Sequence, residues 1–162
     1  KSDKMDLIIQ KSVELGVKSI VPLITERTVV KFGSKKDIEK KLARWRRISM
    51  EAAKQCNRGV IPDVMHPVYY NDALELLKDS GLVVFPYENE TENKLMQCLC
   101  KAETKKVSVI IGPEGGFSDD EITLAVKSGG ITVSLGSRIL RTETAAIAAI
   151  VILMYEIGDL SK

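Results

Sequence analysis

The spacing of apolar residues along this chain predicts six helices. In 35–57 the apolar side chains recur every three or four positions, so they share one helical face. These side chains are Ile38, Leu42, Trp45, Ile48, Ala52 and Cys56. Ser118 followed by Glu121 is a capping box, which marks the start of a later helix. The predicted helices span 4–15, 35–57, 71–78, 93–101, 118–127 and 143–157, with Gly16 ending the first and Asn71 capping the third.

Shorter apolar segments between these helices predict strands. The segment 107–111 is an apolar run rich in β-branched residues, which is typical of a parallel strand covered on both faces. Further strands are predicted at 19–24, 28–30, 82–87 and 131–135, with a loop or short strand in 59–67. Strands that alternate with helices indicate one α/β domain over 1–162, with a mostly parallel sheet flanked by helices and right-handed crossovers.

The last predicted helix, 143–157, is apolar on nearly every side. Such a helix is normally buried all round. At the end of a single domain it needs cover from outside the chain. We therefore expect a homodimer interface to cover it, and sedimentation at micromolar concentration tests that expectation.

Composition favours an ordinary globular protein of the cytoplasm. The 162 residues are 44% hydrophobic and 28% charged, as in many water-soluble domains. The first residues match no signal peptide, and the longest apolar run, 145–155, is shorter than the roughly 20 residues that cross a bilayer. Cys56, Cys98 and Cys100 have no disulfide-framework or zinc-site spacing, which favours a reducing compartment and predicts no metal site.

Positive charge is concentrated in the second predicted helix and the residues after it. Residues 35–58 contain nine Lys/Arg and three Asp/Glu, a local balance of +6 in a chain whose net charge is +2. Most of these basic side chains lie opposite the apolar face. The stripe indicates either a surface that binds RNA or another anion, or a simple solvated helix face.

Two glycine-containing segments in the C-terminal half carry the strongest functional signal. The first reads Ile-Gly-Pro-Glu-Gly-Gly over 111–116, after the strand at 107–111. The second reads Leu-Gly-Ser-Arg-Ile-Leu-Arg-Thr-Glu over 135–143, after the strand at 131–135. Parallel α/β sheets bind ligands at the carboxyl ends of their strands. Glycines at those ends let a ligand approach backbone N–H and C=O groups.

Each of these loops also has a purely structural interpretation. The first is then a tight strand–helix turn, and the second an ordinary loop whose arginines pair with Glu143 or Glu114. The first loop is not a P-loop, because no Lys-Ser/Thr follows its last glycine, and its glycine spacing does not match the dinucleotide fingerprint. A nucleotide-phosphate binder that uses 112–116 is a further alternative.

Together the two loops resemble the SPOUT superfamily of knotted methyltransferases, and more narrowly the bacterial small-subunit (16S) ribosomal RNA uridine-N3 methyltransferases. Three further segments resemble the narrower family. They are Gln-Lys-Ser-Val-Glu-Leu-Gly at 10–16, Thr-Glu-Arg at 25–27, and Glu-Ala-Ala-Lys-Gln-Cys-Asn-Arg at 51–58 with Pro62 after it. The resemblance extends over essentially the whole chain.

This resemblance implies a deep C-terminal trefoil knot, which the alternation of strands and helices does not predict. It implies that the knot loops hold S-adenosylmethionine in a bent conformation, largely through backbone contacts. It also implies a homodimer with the site near the subunit interface. Members of the family carry an N-terminal PUA-like barrel that helps to bind RNA, so we expect this chain to be the catalytic domain without that barrel.

The resemblance places the cofactor in three loops, at 85–88, 111–116 and 135–142. The predicted cofactor residues are Phe85, Tyr87, Glu88, Ile111, Gly112, Pro113, Glu114, Gly115, Gly116, Leu135, Gly136, Ile139, Leu140, Arg141 and Thr142. Methylation of uridine N3 calls for a carboxylate that accepts the proton and a cation that stabilises charge on the ring oxygens. By position, Glu114 and Glu143 are candidates for the first role, and Arg141 and Arg138 for the second. RNA contact is assigned to Arg27, Lys40, Arg44, Arg47, Lys54 and Arg58.

The predicted function is thus S-adenosylmethionine-dependent methylation of uridine N3 in 16S ribosomal RNA of the small subunit. One alternative is a related knotted enzyme that methylates a ribose 2′-hydroxyl. Another is a non-catalytic RNA-binding module of the same fold. Trp45 is assigned to the core face of its helix, with base stacking as the alternative.

Overall fold

The computed structural model describes residues 2–29, 33–78, 80–104 and 106–160, which form helices and short strands in alternation. The helices are α1 (Ser2–Glu14), α2 (Lys35–Gln55), α3 (Tyr70–Leu77), α4 (Leu95–Cys100), α5 (Asp119–Lys127) and α6 (Thr142–Glu156). The strands are β1 (Ser19–Ile20), β2 (Leu23–Ile24), β3 (Asp63–Val64), β4 (Val68–Tyr69), β5 (Leu82–Pro86), β6 (Val107–Val109) and β7 (Ile131–Val133). The predicted α/β class is confirmed.

All strand pairs among the described residues are parallel, but they form three small sheets where the pattern predicted one. The largest sheet has the order β6-β5-β7, so β5 lies in the middle. Val84 of β5 is opposite both Val109 of β6 and Ile131 of β7. Because these strands are parallel, their carboxyl ends meet along one edge, and the two glycine loops follow β6 and β7 there.

The N-terminal strands pair in two short segments because a proline interrupts each of them. β1 pairs with β3 and β2 with β4, with Pro22 and Pro67 in the intervening positions. Proline lacks the N–H that a regular ladder requires. The N–H of Met65 donates to the Ile20 carbonyl (2.9 Å), and that of Val68 donates to the Pro22 carbonyl (3.0 Å). These bonds hold the two segments together as one parallel ribbon.

Helix α2 packs its apolar face on α1 and β3, as its periodicity predicts. Ile9, Leu42, Trp45 and Val64 form one buried cluster there. Trp45 is only 8% exposed, so its assignment to the core is confirmed. The basic side chains on the opposite side of α2 are exposed.

The three-stranded sheet is covered on both faces. Phe85 of β5 meets Tyr70 and Phe117 on one face, with ring centroids 5.9 to 6.5 Å apart. The adjacent Val84 belongs to a separate cluster on the other face, with α4 and α6. Alternate residues of a strand point to opposite faces. Both side chains are fully buried, so this sheet forms the centre of the C-terminal half.

The structure differs from the predicted elements in a few places. Residues 28 and 29 are not in a strand, and Val30 lies outside the described residues. A turn replaces the predicted strand, because the Thr28 N–H donates to the Thr25 carbonyl (3.2 Å) and the two threonine hydroxyls lie 2.9 Å apart. Helix α3 already begins at Tyr70, so the prediction that Asn71 caps it is wrong.

Helix α6 is less buried than its apolar sequence predicts. Within α6 only Ala146 and Ala149 are buried, whereas Val151 is 39% exposed and Tyr155 is 58% exposed. The expectation of burial on all sides is therefore wrong for the single chain, because α1 and α4 cover only part of the helix surface. Neither α6 nor any other helix of the described ranges has the length and apolarity that a membrane crossing needs.

Candidate functional site

A cavity of about 340 Å³ lies where the loops after β5, β6 and β7 meet the start of α6. Its volume falls within the range of small-molecule sites. The residues that line it are Lys4, Glu88, Pro113, Glu114, Gly116, Ile139, Leu140, Arg141 and Thr142. All of them except Lys4 belong to the cofactor set predicted from the sequence. The structure therefore brings the two glycine loops together around one space.

The loop after β6 is tight and leaves its backbone close to other groups. The N–H of Gly116 donates to the Pro113 carbonyl (3.0 Å), and Gly116 has φ +67°, a conformation that favours glycine. A Cβ on Gly116 would lie 2.5 Å from Oε1 of Glu88. The loop is thus a tight turn, which agrees with the purely structural interpretation of its sequence. Its last glycine nevertheless faces the cavity.

Arg27 fixes the outer side of the same loop. Its Nη1 donates to the carbonyls of Gly115 (2.9 Å) and Phe117 (3.2 Å). A Cβ on Gly115 would lie 3.2 Å from the Arg27 side chain. At the end of the loop, the side chain of Glu121 accepts from the backbone N–H of Ser118 and of Glu26 (both 2.9 Å). The predicted capping box is confirmed, and it also ties α5 to the turn after β2.

The loop after β7 supplies the other wall of the cavity. Gly136 has φ +119° and faces open space. Ile139 is 86% exposed although it is a large apolar residue, and Leu140 beside it is partly buried. Arg141 follows in extended conformation at the N-cap of α6 and lines the cavity. An exposed isoleucine at the rim of a cavity is a surface that an apolar ligand group could cover.

Lys4 of α1 lies between the two carboxylates that the sequence proposed as proton acceptors. Its Nζ is 3.0 Å from Oε1 of Glu114 and 3.2 Å from Oε2 of Glu143. The sequence interpretation paired these carboxylates with arginines, whereas the ion pairs in the structure are with a lysine. No local pattern identifies Lys4, because its partners are more than a hundred residues away in the chain.

The ion pairs keep all three groups charged at neutral pH. The pKa of Glu114 lies below its ordinary value, first because its own backbone N–H binds the carboxylate and then because of Lys4. The pKa of Glu143 is lowered for the same two reasons in the same order. The two carboxylates, Glu114 first, raise the pKa of Lys4. A carboxylate with a lowered pKa is a weaker base, so these pairs make proton acceptance harder for either glutamate.

The remaining predicted cofactor residues lie near the cavity without lining it. They are Phe85, Tyr87, Ile111, Gly112, Gly115, Leu135 and Gly136. Phe85 is fully buried among aromatic rings, so only its backbone could reach a ligand. The hydroxyl of Tyr87 donates to Asp119 (3.3 Å), at the start of α5. Arg138, the second candidate cation, is exposed and does not line the cavity.

The six predicted RNA-contacting residues divide into two groups. Lys40, Arg47 and Lys54 are exposed on α2 and project from its solvent side. Arg47 lies 3.5 Å from Glu51, an exposed i,i+4 pair of small energetic weight. These three basic side chains form what we call the α2 basic surface.

The other three arginines are engaged in contacts within the chain. Arg27 binds the glycine loop as described above. Arg58 donates to the carbonyls of Val13 (2.8 Å) and Val17 (2.9 Å), at the end of α1. Arg44 forms an ion pair with Asp6 of α1. Half of the six predicted RNA-contacting residues therefore stabilise contacts within the chain.

Glu90 organises the loop after β5, and sequence reasoning missed it. Its carboxylate accepts from the hydroxyl of Thr132 (2.6 Å) and from the N–H groups of Glu92 (2.8 Å) and Asn93 (3.1 Å). These bonds, that of Thr132 first, lower the pKa of Glu90 from 4.5 to about 2. The Asn93 bond three residues on is a local signal of such a loop, but the Thr132 contact is not visible in the sequence.

The histidine and the cysteines of the chain do not line the cavity. No group of three or more His, Cys, Asp or Glu that could hold a metal ion occurs in the described ranges. His66 is exposed, 3.8 Å from Glu39. Cys100 donates its thiol to Glu156 (3.4 Å), which raises the thiol pKa, so the thiol is a poor nucleophile at neutral pH.

Comparison with known proteins gives one consistent result. The sequence model of a family described as RNA methyltransferase domain matches residues 1–154. The chain is 40% identical to ribosomal RNA small subunit methyltransferase E of Buchnera aphidicola, over 98% of the chain and 61% of that protein. It is 37% identical to the protein of the same name from Bacillus subtilis, over 96% of the chain and 62% of that protein.

The fold is also similar to that of a solved structure. The chain superposes with a TM-score of 0.83 and 36% identity on a crystal structure of ribosomal RNA small subunit methyltransferase E from Neisseria gonorrhoeae, bound to S-adenosyl methionine. The match covers 98% of the chain and 63% of that protein. The chain therefore spans less than two thirds of the length of the relatives it matches.

Proposed function

Because the chain belongs to the RNA methyltransferase domain family, we propose that it is the catalytic part of an enzyme that methylates N3 of a uridine in 16S ribosomal RNA, with S-adenosylmethionine as methyl donor. The Buchnera and Bacillus relatives are named as small-subunit ribosomal RNA methyltransferases. The N3 position comes from the resemblance of the two glycine loops to the uridine-N3 methyltransferases. A ribosomal substrate implies a cytoplasmic enzyme.

The observation that carries this proposal is the meeting of both glycine loops at one cavity. Its lining combines bare backbone at Gly116, apolar side chains at Ile139 and Leu140, and several charges. S-adenosylmethionine has an adenine ring with flat aromatic faces, polar groups and a net positive charge. The side chains at the cavity carry two positive and two negative charges, and Glu143 adds a third negative charge behind Lys4. A net negative cavity suits a cationic ligand.

The residues of the cavity suit the cofactor in distinct ways. Ile139 and Leu140 would cover the adenine, and the backbone around Gly116 would bind polar atoms. S-adenosylmethionine supplies a methyl group on a sulfonium that is already activated for transfer. The protein then has mainly to align the two reactants, which is a large part of catalysis in a displacement.

The uridine base needs a proton acceptor and charge stabilisation. Arg141 lines the cavity and is the cation we assign to the ring oxygens, which gain negative charge as the N3 proton leaves. Glu114 is a better acceptor candidate than Glu143, because its side chain is 47% exposed whereas that of Glu143 is 16% exposed. For Glu114 to act as base, substrate binding must weaken its contact with Lys4.

RNA binding is assigned to the α2 basic surface. Its three basic side chains face solvent, and within the described ranges the only pair among them that a phosphate would replace is the exposed one between Arg47 and Glu51. Phosphate contacts give affinity that falls with salt and carry no sequence choice. The choice of one uridine would then depend on the shape of the assembled subunit.

We also propose a homodimer and a C-terminal trefoil knot, both on the strength of the family resemblance. The exposed apolar residues Val151 and Tyr155 on α6 support the homodimer, because a second copy would cover them. Sedimentation equilibrium tests the oligomeric state. A monomer at micromolar concentration would contradict the homodimer without affecting the cofactor site.

Two measurements test the proposed function. Calorimetric titration of the chain with S-adenosylmethionine should show binding at one site per chain, and S-adenosylhomocysteine should bind too. Nucleoside mass spectrometry of small subunits from cells that lack the gene, incubated with the protein and cofactor, should show 3-methyluridine. A 2′-O-methylated nucleoside would support the related ribose methyltransferase instead. Cofactor binding that is absent would support a non-catalytic RNA-binding module.

A further inference from the structure

Lys4 occupies a junction of three elements at the cavity. It belongs to the first turn of α1, Glu114 to the loop after β6, and Glu143 to the first turn of α6. The Glu114 and Glu143 oxygens lie within 3.0 Å and 3.2 Å of the same ammonium nitrogen. No other cationic side chain in the described ranges has ion pairs with both walls of the cavity.

Of the two ion pairs that Lys4 forms, the one with Glu143 compensates the charge of a buried carboxylate oxygen. Oε2 of Glu143 is buried and makes no hydrogen bond among the described residues. Lys4 approaches this same oxygen. A buried carboxylate oxygen is unfavourable without a nearby cation, so removing the lysine takes away the ion pair of this oxygen.

We propose that Lys4 is a positioning residue, which fixes the glycine loop after β6 against the start of α6 and so sets the shape of the cofactor cavity. This inference rests on the proposed function, because it concerns the same cavity. Lys4 is not assigned to contact with the reacting atoms. It acts through Glu114 and Glu143, which it holds close together and whose ionised forms it favours in addition to their own backbone N–H groups.

The charged side chains around Lys4 determine the expected effect of replacing it. Glu114 and Glu143 face it directly, and Glu88 and Arg141 are the other charged side chains that line the cavity. Without the ammonium, two like charges face each other, which disfavours ionisation of one of them. The cavity then gains a carboxyl group that takes up a proton at a higher pH than either does in the native protein.

The experiment measures S-adenosylhomocysteine affinity of the 162-residue chain by calorimetry at about pH 4.5, the ordinary pKa of a glutamate, and at about pH 8. This ligand has no sulfonium charge, so its affinity reports cavity shape more than net charge. In Lys4→Met we expect affinity to fall about tenfold at the higher pH, where both carboxylates repel each other, and less at the lower pH. Lys4→Arg should restore affinity to within about threefold and remove the pH dependence.

Lys11→Met is the matched control on the same helix. Lys11 pairs with Glu14 at 2.8 Å and does not line the cavity. The Lys11→Met variant should bind S-adenosylhomocysteine with the same affinity as the unmodified chain at both pH values. An equal loss in Lys4→Met and Lys11→Met would show that any disturbance of α1 suffices, which contradicts the positioning role. Unchanged affinity in Lys4→Met would contradict it as well.

A second variant keeps the test decisive if Lys4→Met does not fold. Lys4→Met with Glu143→Gln removes both the lysine and the buried charge that needs it. We expect this double variant to fold and to bind without pH dependence. A double variant that shows the same pH dependence as Lys4→Met would contradict the account.

A measurement without ligand separates this inference from the proposed function. Carboxyl NMR titration of Glu114 and Glu143 should show one pKa raised in Lys4→Met relative to the unmodified chain. Unchanged titration of both groups contradicts the role of Lys4, whatever binds in the cavity. Failure of the unmodified chain to bind either cofactor form would instead contradict the proposed function.

Discussion

The cavity at the ends of β5, β6 and β7 and the basic side of α2 were both predicted as binding surfaces, but they are built differently. At the cavity, charged side chains pair with one another, and much of the lining is backbone and apolar side chain. On α2, Lys40 and Lys54 project into solvent and Arg47 has an exposed pair with Glu51, while Arg44 is tied to Asp6 of α1. The first design suits a ligand that must be held in one geometry, and the second suits a flexible polyanion.

This comparison shows that a basic residue in a sequence is not always available to bind RNA. Arg27 and Arg58 looked like RNA contacts, yet each donates to two backbone carbonyls. The guanidinium group of an arginine has several N–H donors in a fixed planar arrangement. It can therefore bind backbone carbonyls that lack a partner at a loop or at the end of a helix. Positive charge near a proposed nucleic-acid surface therefore counts as available only after such contacts are accounted for.

The largest effect is expected from removing Arg141, the cation that we assign to the uracil oxygens. In Arg141→Ala, turnover on small subunits should fall about 100-fold, because charge on the uracil oxygens loses its stabilising partner. Affinity for S-adenosylhomocysteine should change much less. Arg138→Ala is the control, since Arg138 lies outside the cavity lining. Equal losses in both variants, or full turnover in Arg141→Ala, would contradict the assignment.

The next effect tests the backbone wall of the cavity. Gly116→Ala introduces a Cβ that faces Glu88, at a residue with φ +67°. We expect cofactor affinity to fall about tenfold and stability to fall by about 1 kcal/mol. Gly129→Ala provides a control, because Gly129 also has a positive φ (+88°) but nothing within 4 Å of the added atom. It should lose similar stability and keep its affinity, as calorimetry and chemical denaturation can show.

A smaller effect is expected on the α2 basic surface. Changing Lys40, Arg47 and Lys54 together to glutamine should lower affinity for a ribosomal RNA fragment and reduce the slope of log affinity against log salt by about 2 to 3. Cofactor affinity should not change. Arg44→Gln is the comparison, because Arg44 pairs with Asp6, and it should alter the slope by much less than 1. A salt slope unaffected by the triple change would contradict the electrostatic account.

The smallest effect concerns the loop beside the cavity that Glu90 organises. Thr132→Val removes the strongest contribution to the lowered pKa of Glu90 and should cost about 1 kcal/mol at neutral pH. The native pKa of about 2 lies below the ordinary 4.5, so this stabilisation is complete above about pH 4.5 and is lost as the pH falls towards 2. The deficit of the variant should therefore shrink in acid.

Chemical denaturation at neutral and acidic pH measures that deficit. Thr123→Val, at an exposed site of α5, is the control for the change of side chain. A Thr132→Val deficit that stays constant as the pH falls from neutral to about 2 would contradict the role of Glu90.

Local signals in the sequence predicted most of the elements. The period of apolar residues identified the buried face of α2, and the Ser118 and Glu121 pair located the start of α5. The two glycine loops contain seven of the residues that line the cavity. Each of these signals depends on residues only a few positions apart, where helix and turn geometry fix the outcome.

The contacts that local patterns do not predict join distant parts of the chain. They include Lys4 with Glu114 and Glu143, and Glu90 with Thr132. The partial exposure of α6 is of the same kind, because it depends on which helices pack beside it. Most helices, strands and glycine turns follow from local sequence patterns, although residues 28 and 29 and the start of α3 do not. Which charges meet was decided by packing, because ion pairs depend on positions in space that sequence spacing does not encode.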